Sequence, residues 1–297
     1  MDFVDNVHKK NITIEKKIGY GSFGDVFKAI WGQRIVAVKS IDYHDEKTKQ
    51  KVDKEVKHLS TVCHENIIRL YGVSLDAQAQ KTLLIMEYAE NGSLYDYLHN
   101  SQRSVAYDGL LNWMLQLAKG LAYLHGREPK IMHRDVKTKN MVLTNQCLTL
   151  KICDFGLVRA VATNNTREVG TIAYQAPELA STTSYDEKCD VYSFGIVLWE
   201  VMSRKQPFKD LNALTIINLV NNELKRPDIA EVKPYKNSGH IRELIKLCWQ
   251  QDPSKRPSMK GLAFILSIDP QSCPQDLILK LKYLPPADIA YYPQEKH

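Results

Sequence analysis

The chain of 297 residues has no C-x-x-C pair among its six cysteines, no long apolar run and no block of like charge. Without paired spacing the thiols do not read as zinc ligands. No apolar stretch approaches the ~18 residues of a membrane helix, and the opening MDFVDNVHKK lacks the basic-then-apolar pattern of a secretory leader. These absences point to a reducing, cytoplasmic setting without a membrane span, the cysteines serving mostly as small buried hydrophobes. Net charge is +6, yet Lys and Arg alternate with Asp and Glu instead of crowding one helix or tail. That pattern argues against nucleic acid as a partner. No internal repeat, low-complexity tract or coiled-coil heptad is present.

What is there is enough for a large core, at a length that favours two lobes over one. The early segments ITIEKKIG, DVFKAIW, IVAVKSI and TLLIMEYA read as strands bounded by turn residues. Between the last two, KTKQKVDKEVKHLSTV places Val52, Val56 and Leu59 at helical spacing. Past NGSL the texture becomes helical: LLNWMLQLAKGLAYLH, VYSFGIVLWEVMS, IRELIKLCWQ and MKGLAFILS. MVL and LTLKIC are two short strands around a turn at TNQC. The expected fold class is α+β, with an antiparallel-sheet lobe over 12–88, a helical lobe over 89–268, a hinge near Glu87 to Asn91, and an extension over 269–297.

Four stretches carry chemistry. GYGSFGDV spaces Gly19, Gly21 and Gly24 as G-x-G-x-x-G. Such a loop can bring backbone N–H groups against phosphates. The same glycines open dinucleotide-binding helices, but the segment that follows here is strand-like, which demotes that reading. Lys39 ends the apolar run IVAVK, where an ammonium needs a specific partner. Glu55, on the next amphipathic segment, is the candidate. HRDVKTKN sets a polar island between apolar flanks. Asp135 suits the orientation of an acceptor hydroxyl, Lys137 the charge of a transferred phosphate, and Asn140 an oxygen ligand to a metal. A second metal ligand is expected at a nearby strand end, and Asp154 follows LTLKIC there. His133 is expected to pack and position the loop and not to act as acid or base.

Taken in order, GYGSFGDV, VAVK, HRDVKTKN, DFG, the APE at 176–178, DVYSFG at 190–195 and DPSKRPSM at 252–259 resemble the signature set of the protein kinase family over roughly residues 12–268. The resemblance implies a bilobal kinase fold whose small lobe carries one regulatory helix. It implies MgATP as cofactor and nucleotide, with Gly19, Gly21 and Gly24 over the phosphates and Lys39 held by Glu55. It makes Asp135 the catalytic base and Lys137 the γ-phosphate contact, with Asn140 and Asp154 on magnesium. Val26, Ala37 and Val142 would sandwich adenine, Met86 would line the pocket, and Glu87 and Ala89 would offer hinge backbone. Leu59, Leu70, His133 and Phe155 would form a packed column, Glu178 and Arg256 a buried ion pair, and Asp190 a support for the catalytic loop. Lys137 in this setting, with Thr171 able to bond both Asp135 and Lys137, implies Ser/Thr as acceptor.

More narrowly, LLIMEYAENGSLYDYLH, AYLHGREPKIMHRD and YDEKCDVYSFGIVLWEV resemble the TGF-beta-activated kinase branch of the mitogen-activated protein kinase kinase kinases. That implies stress or innate-immune signalling, MAP kinase kinases as substrates, and an activating adaptor protein as partner. Thr138 and Lys139 depart from the branch where it has Pro and its neighbour, and Tyr174 stands where it has Trp. These departures imply a short, divergent paralogue. Thr163, Thr166 and Thr171 are the candidate regulatory phosphorylation sites, with Arg134 as the catching guanidinium. Cys153, next to Asp154, is expected either as a reactive thiol whose pKa Lys39 lowers or as an inert buried one. A scaffold that binds partners without phosphotransfer is the rival class. Its members usually lack the residues that stand here as Lys39, Asp135 and Asp154.

Overall fold

Alternation along each strand decides which way the sheet faces. The computed structural model describes residues 5–21, 24–43, 45–76, 79–154, 169–181, 185–235 and 238–268. Within them β1 (Asp5–Asn6), β2 (Ile12–Gly21), β3 (Gly24–Trp31), β4 (Arg34–Asp42), β5 (Leu70–Asp76) and β6 (Lys81–Glu87) form one sheet in the order β1-β5-β6-β4-β3-β2. β1 lies parallel to β5; every other pairing is antiparallel.

Successive side chains of a strand point to opposite faces. On β4, Val36 and Val38 join Ala29, Leu83 and Ile85 in a small core on one face. Ala37, Lys39 and Ile41 therefore face the other way, toward the larger core that Ile41 joins. One-residue alternation thus delivers the Lys39 ammonium, fully buried, to the inner face.

Helix α1 (Glu46–Leu59) connects β4 to β5, with Val52, Val56 and Leu59 buried as their spacing predicts. The side chain of Glu55 lies outside the described residues, as do Phe155, Thr163, Thr166 and the extension over 269–297.

After β6 the chain runs through residues 88–93 into α2 (Leu94–His99) and α3 (Tyr107–His125). A 3-10 turn (Thr138–Asn140) leads into the hairpin β7 (Met141–Thr144) and β8 (Thr149–Ile152). Six α-helices follow among the described residues: α4 (Val169–Ile172), α5 (Glu178–Ser181), α6 (Lys188–Ser203), α7 (Ala213–Asn221), α8 (Ser238–Cys248) and α9 (Met259–Ser267). Every residue of α6 from Cys189 to Ser203 is buried, which makes it the axis of the helical part. α8 packs on α6, and α9 packs on α3. Each fully buried Leu or Phe along these contacts, such as Leu117 or Phe194, contributes about 1.5–3 kcal/mol.

β5, α2 and α7 are among the elements that the periodicity did not reveal. In β5 the buried positions are Gly72 and Ser74 while Leu75 is exposed, so its pattern is inverted. α2 has only six residues; Leu94, Tyr97 and Leu98 are buried, and the Ser93 hydroxyl caps it by accepting from the Asp96 amide at 3.0 Å. α7 buries only Ile216 and Val220 and leaves Leu214 exposed.

Candidate active site

A cleft of about 580 Å³ lies where the sheet meets the β7–β8 hairpin. Its walls come from both halves of the chain. Gly19 and Val26 of the β2–β3 hairpin, Ala37 of β4, and Met86, Glu87 and Ala89 at the end of β6 meet Val142, Asn140, Lys137 and Asp154. All the residues expected around adenine therefore line one cavity. Ile18, Ile68 and Tyr88 also line it and were not anticipated. Ile18 carried a signal, being an apolar residue beside the first glycine of the loop. Glu87 accepts the Lys151 ammonium at 3.0 Å, so its side chain is engaged and its backbone is the part available to a ligand.

The glycine-rich stretch is a strand–turn–strand, with Gly19 opposite Val26 and Gly21 opposite Gly24. No helix opens there, which removes the dinucleotide alternative. Gly24 has φ +143°, and a Cβ built on it would stand 1.7 Å from the Ser40 carbonyl oxygen. Only glycine fits that position.

At the inner end of the cleft, Lys39 Nζ lies 2.8 Å from Asp154 Oδ1. At the mouth, Lys137 Nζ contacts Asp135 Oδ2 at 2.9 Å and donates to Thr171 Oγ1 at 2.8 Å. Thr171 thus reaches Asp135 through Lys137. Asn140 Nδ2 donates to Asp135 Oδ2 at 2.7 Å and to the Asp135 carbonyl at 2.8 Å. Asp135 Oδ1 is buried with no hydrogen-bond partner among the described residues. A buried carboxylate oxygen left this way is costly unless a donor arrives.

The loop that carries Asp135 is held from below. Asp190, fully buried at the start of α6, accepts the His133 amide at 2.8 Å, the Arg134 amide at 2.7 Å and His125 Nε2 at 2.9 Å. Burial pushes the Asp190 carboxyl up, and the bonds from His125 and the Arg134 amide outweigh it, leaving its pKa below the ordinary value. It stays ionised and its two oxygens clamp consecutive peptide groups. Arg134 accordingly sits at φ +67°. The Asp135 amide donates to His133 Nδ1 at 3.2 Å, so the ring proton is on Nε2, which donates to the Cys153 carbonyl at 3.0 Å. Both ring nitrogens serve the loop, consistent with a packing role and not with acid–base work. Leu59 and His133 are buried, and Leu70 packs against the same core as Leu59.

Of the two readings of Cys153, which is half-buried on the cleft wall, its surroundings favour the inert one. Burial and the adjacent Asp154 push its thiol up, and Lys39 only partly offsets them. A thiol held protonated is a poor nucleophile. The exposed Cys63 is expected to react with iodoacetamide at pH 8 well before Cys153, with or without nucleotide. Peptide mapping by mass spectrometry reads the order, and Cys153 labelling first would reverse this assignment.

The metal expectation passes a chemical test. The donor set offered by Asn140 and Asp154 is a neutral carbonyl oxygen and a carboxylate, both hard. Among the described residues no group of three or more His, Cys, Asp or Glu gathers as a cage. Magnesium typically takes one or two carboxylates and completes its shell with water and phosphate, so this set fits it.

A comparison with known families decides the lineage: the protein tyrosine and serine/threonine kinase family matches residues 12–266. The chain belongs to that protein kinase family, which uses ATP. The kinase domain is 43% identical over 259 residues to mitogen-activated protein kinase kinase kinase 7 of Drosophila melanogaster, covering 86% of this chain and 37% of that protein. It is 40% identical over 269 residues to the human protein of the same name, covering 89% of this chain and 42% of that one. A Drosophila putative mitogen-activated protein kinase kinase kinase 7-like protein is 41% identical over 253 residues, with 84% of this chain and 63% of that protein covered. The chain thus spans less than half the length of the first two relatives. These relatives agree with the branch that the motifs resemble. Among the described residues no helix is long and apolar enough to cross a membrane.

Proposed function

We propose that the chain is an ATP-dependent serine/threonine protein kinase that acts as a MAP kinase kinase kinase. The observation that carries this is Asp135 Oδ1, a buried acceptor without a partner among the described residues, flanked by Lys137 and Asn140. That oxygen is suited to accept the hydrogen of an incoming Ser or Thr hydroxyl, aim its oxygen and take its proton during transfer. Lys137 brings positive charge to the transferred group and, through Thr171, ties the catalytic loop to the α4 segment. Lys39 orders the inner phosphates. Gly19, Gly21 and Gly24 supply a backbone that can approach them closely. Asn140 and Asp154 would hold magnesium, which when bound neutralises phosphate charge. Val26, Ala37, Met86 and Val142 give adenine an apolar slot, with backbone contacts from Glu87 and Ala89.

The relatives' names support MAP kinase kinases as substrates; an activating adaptor as partner and a cytoplasmic setting belong to the same reading and rest on the resemblance of the motifs alone. Phosphorylation of the stretch that holds Thr163 and Thr166 is the proposed switch. A test against a non-catalytic scaffold uses Lys39→Met and Asp154→Ala. Both are expected to abolish magnesium-dependent ATP turnover by the parent while leaving the fold intact by circular dichroism. Turnover that persists in both variants would reject the assignment.

A further inference from the structure

The carboxylate of Glu200 is fully buried within α6, and the residues around it have no part in the chemistry above. Glu200 Oε2 accepts the Tyr174 hydroxyl at 2.7 Å, and Oε1 accepts the Thr138 hydroxyl at 3.1 Å and faces His99 Nε2 at 2.8 Å. The Tyr174 and Thr138 oxygens lie 3.4 Å from each other. Three separate pieces of chain, α2, the catalytic loop and the segment after α4, thus end on one carboxylate of a fourth. Burial and Glu200 both push the Tyr174 phenol well up, so it remains a donor. Thr138 and Tyr174 are also two of the positions where the sequence departs from the branch it resembles.

These bonds close a ring. Thr138 follows Lys137 directly. Lys137 Nζ donates to Thr171 Oγ1 at 2.8 Å. The Thr171 carbonyl accepts the Tyr174 amide at 3.1 Å. Tyr174 returns through Glu200 to Thr138. A second arm runs from Glu200 through His99, whose ring lies 4.8 Å from that of Tyr95 on the cleft wall. A link lost anywhere in such a ring loosens the rest, and the Lys137–Thr171 contact carries the ring to the reacting groups.

We propose that Glu200, through the Thr138 and Tyr174 hydroxyls, is a positioning residue that sets the register between the catalytic loop and the segment bearing Thr171. The proposal rests on phosphoryl transfer being the activity. Isosteric variants test it: Thr138→Val and Tyr174→Phe remove one hydroxyl each and keep the shape. Each is expected to lower kcat about tenfold, equivalent to about 1.4 kcal/mol in the barrier, with KM for ATP unchanged. Thr138→Ser is expected to restore the parent kcat, because it restores the hydroxyl. The Thr138→Val/Tyr174→Phe double variant is expected to lose less than the product of the single losses, since the ring is already open.

The control is Trp113→Phe, which deletes a part-buried bond to the Cys147 carbonyl; neither residue lines the cleft or belongs to the ring. It is expected to lower Tm as the ring variants do and to leave kcat alone. Thr138→Val and Tyr174→Phe with parental kcat, or Thr138→Ser as impaired as Thr138→Val, would overturn the proposal. Should Tyr174→Phe fail to fold, the Thr138→Val and Thr138→Ser pair decides by itself. An active parent with unaffected variants rejects this inference alone, whereas a parent without transfer rejects the kinase reading and this inference together.

Discussion

Asp135→Asn is expected to bind ATP as the parent does and to transfer phosphate about 10²–10⁴-fold more slowly, the span that a positioned acid–base group contributes. The reasoning is geometric. Asparagine has nearly the shape of aspartate, and Asp190 continues to hold the loop through the amides of residues 133 and 134. The nucleotide walls are made by other side chains, so affinity for ATP has no reason to fall. Lost are the acceptor at Oδ1 and the ion pair with Lys137 at 2.9 Å. Steady-state transfer to a protein acceptor, together with a nucleotide titration, separates the two effects. A variant within about threefold of the parent would remove Asp135 from the chemistry, being less than a single decade of barrier.

The second large effect concerns stability. Arg256→Ala is expected to lower the free energy of unfolding by about 3–5 kcal/mol, the cost of breaking a buried pair from one side. Arg256 is 2% exposed, and its fork meets Glu178 at 2.6 and 2.9 Å. Its Nε donates to the Gln250 carbonyl at 2.8 Å, and its remaining N–H groups reach the carbonyls of Lys188 and Gln251 at 2.9 and 3.2 Å. Five hydrogen bonds are thus donated, and one alanine takes the donor away from acceptors on three separate pieces of chain. Arg256→Lys is expected to recover only part of the loss, since an ammonium cannot make the two-pronged contact. Denaturant unfolding measures both. A loss below about 1 kcal/mol, as for an exposed pair, would show that the cluster is solvated in solution.

The site was more legible than the fold. Phosphoryl transfer requires particular side chains, and in this chain those side chains cluster in short stretches, so HRDVKTKN and the residue after LTLKIC could be read from type and spacing. The structure brings Asp135, Lys137 and Asn140 into one hydrogen-bonded group and Lys39 onto Asp154. The Glu178–Arg256 pair spans 78 residues of sequence and became visible only through the family resemblance. β5 was illegible because Gly72 and Ser74 fill its buried positions. The Glu200 cluster was illegible because Glu200 sits in the apolar stretch FGIVLWEVM of α6 and its partners come from three other segments. The reactive reading of Cys153 rested on adjacency to Lys39, whereas burial and Asp154 push the thiol the other way.

The most direct test of the kinase reading is magnesium-dependent transfer of radiolabelled γ-phosphate from ATP to a panel of purified MAP kinase kinases, followed by phosphoamino acid analysis. The account predicts label on serine or threonine of at least one of them, reduced about a hundredfold or more with the Asp135→Asn protein. Equal labelling by the parent and by Asp135→Asn, or label confined to tyrosine, would contradict it.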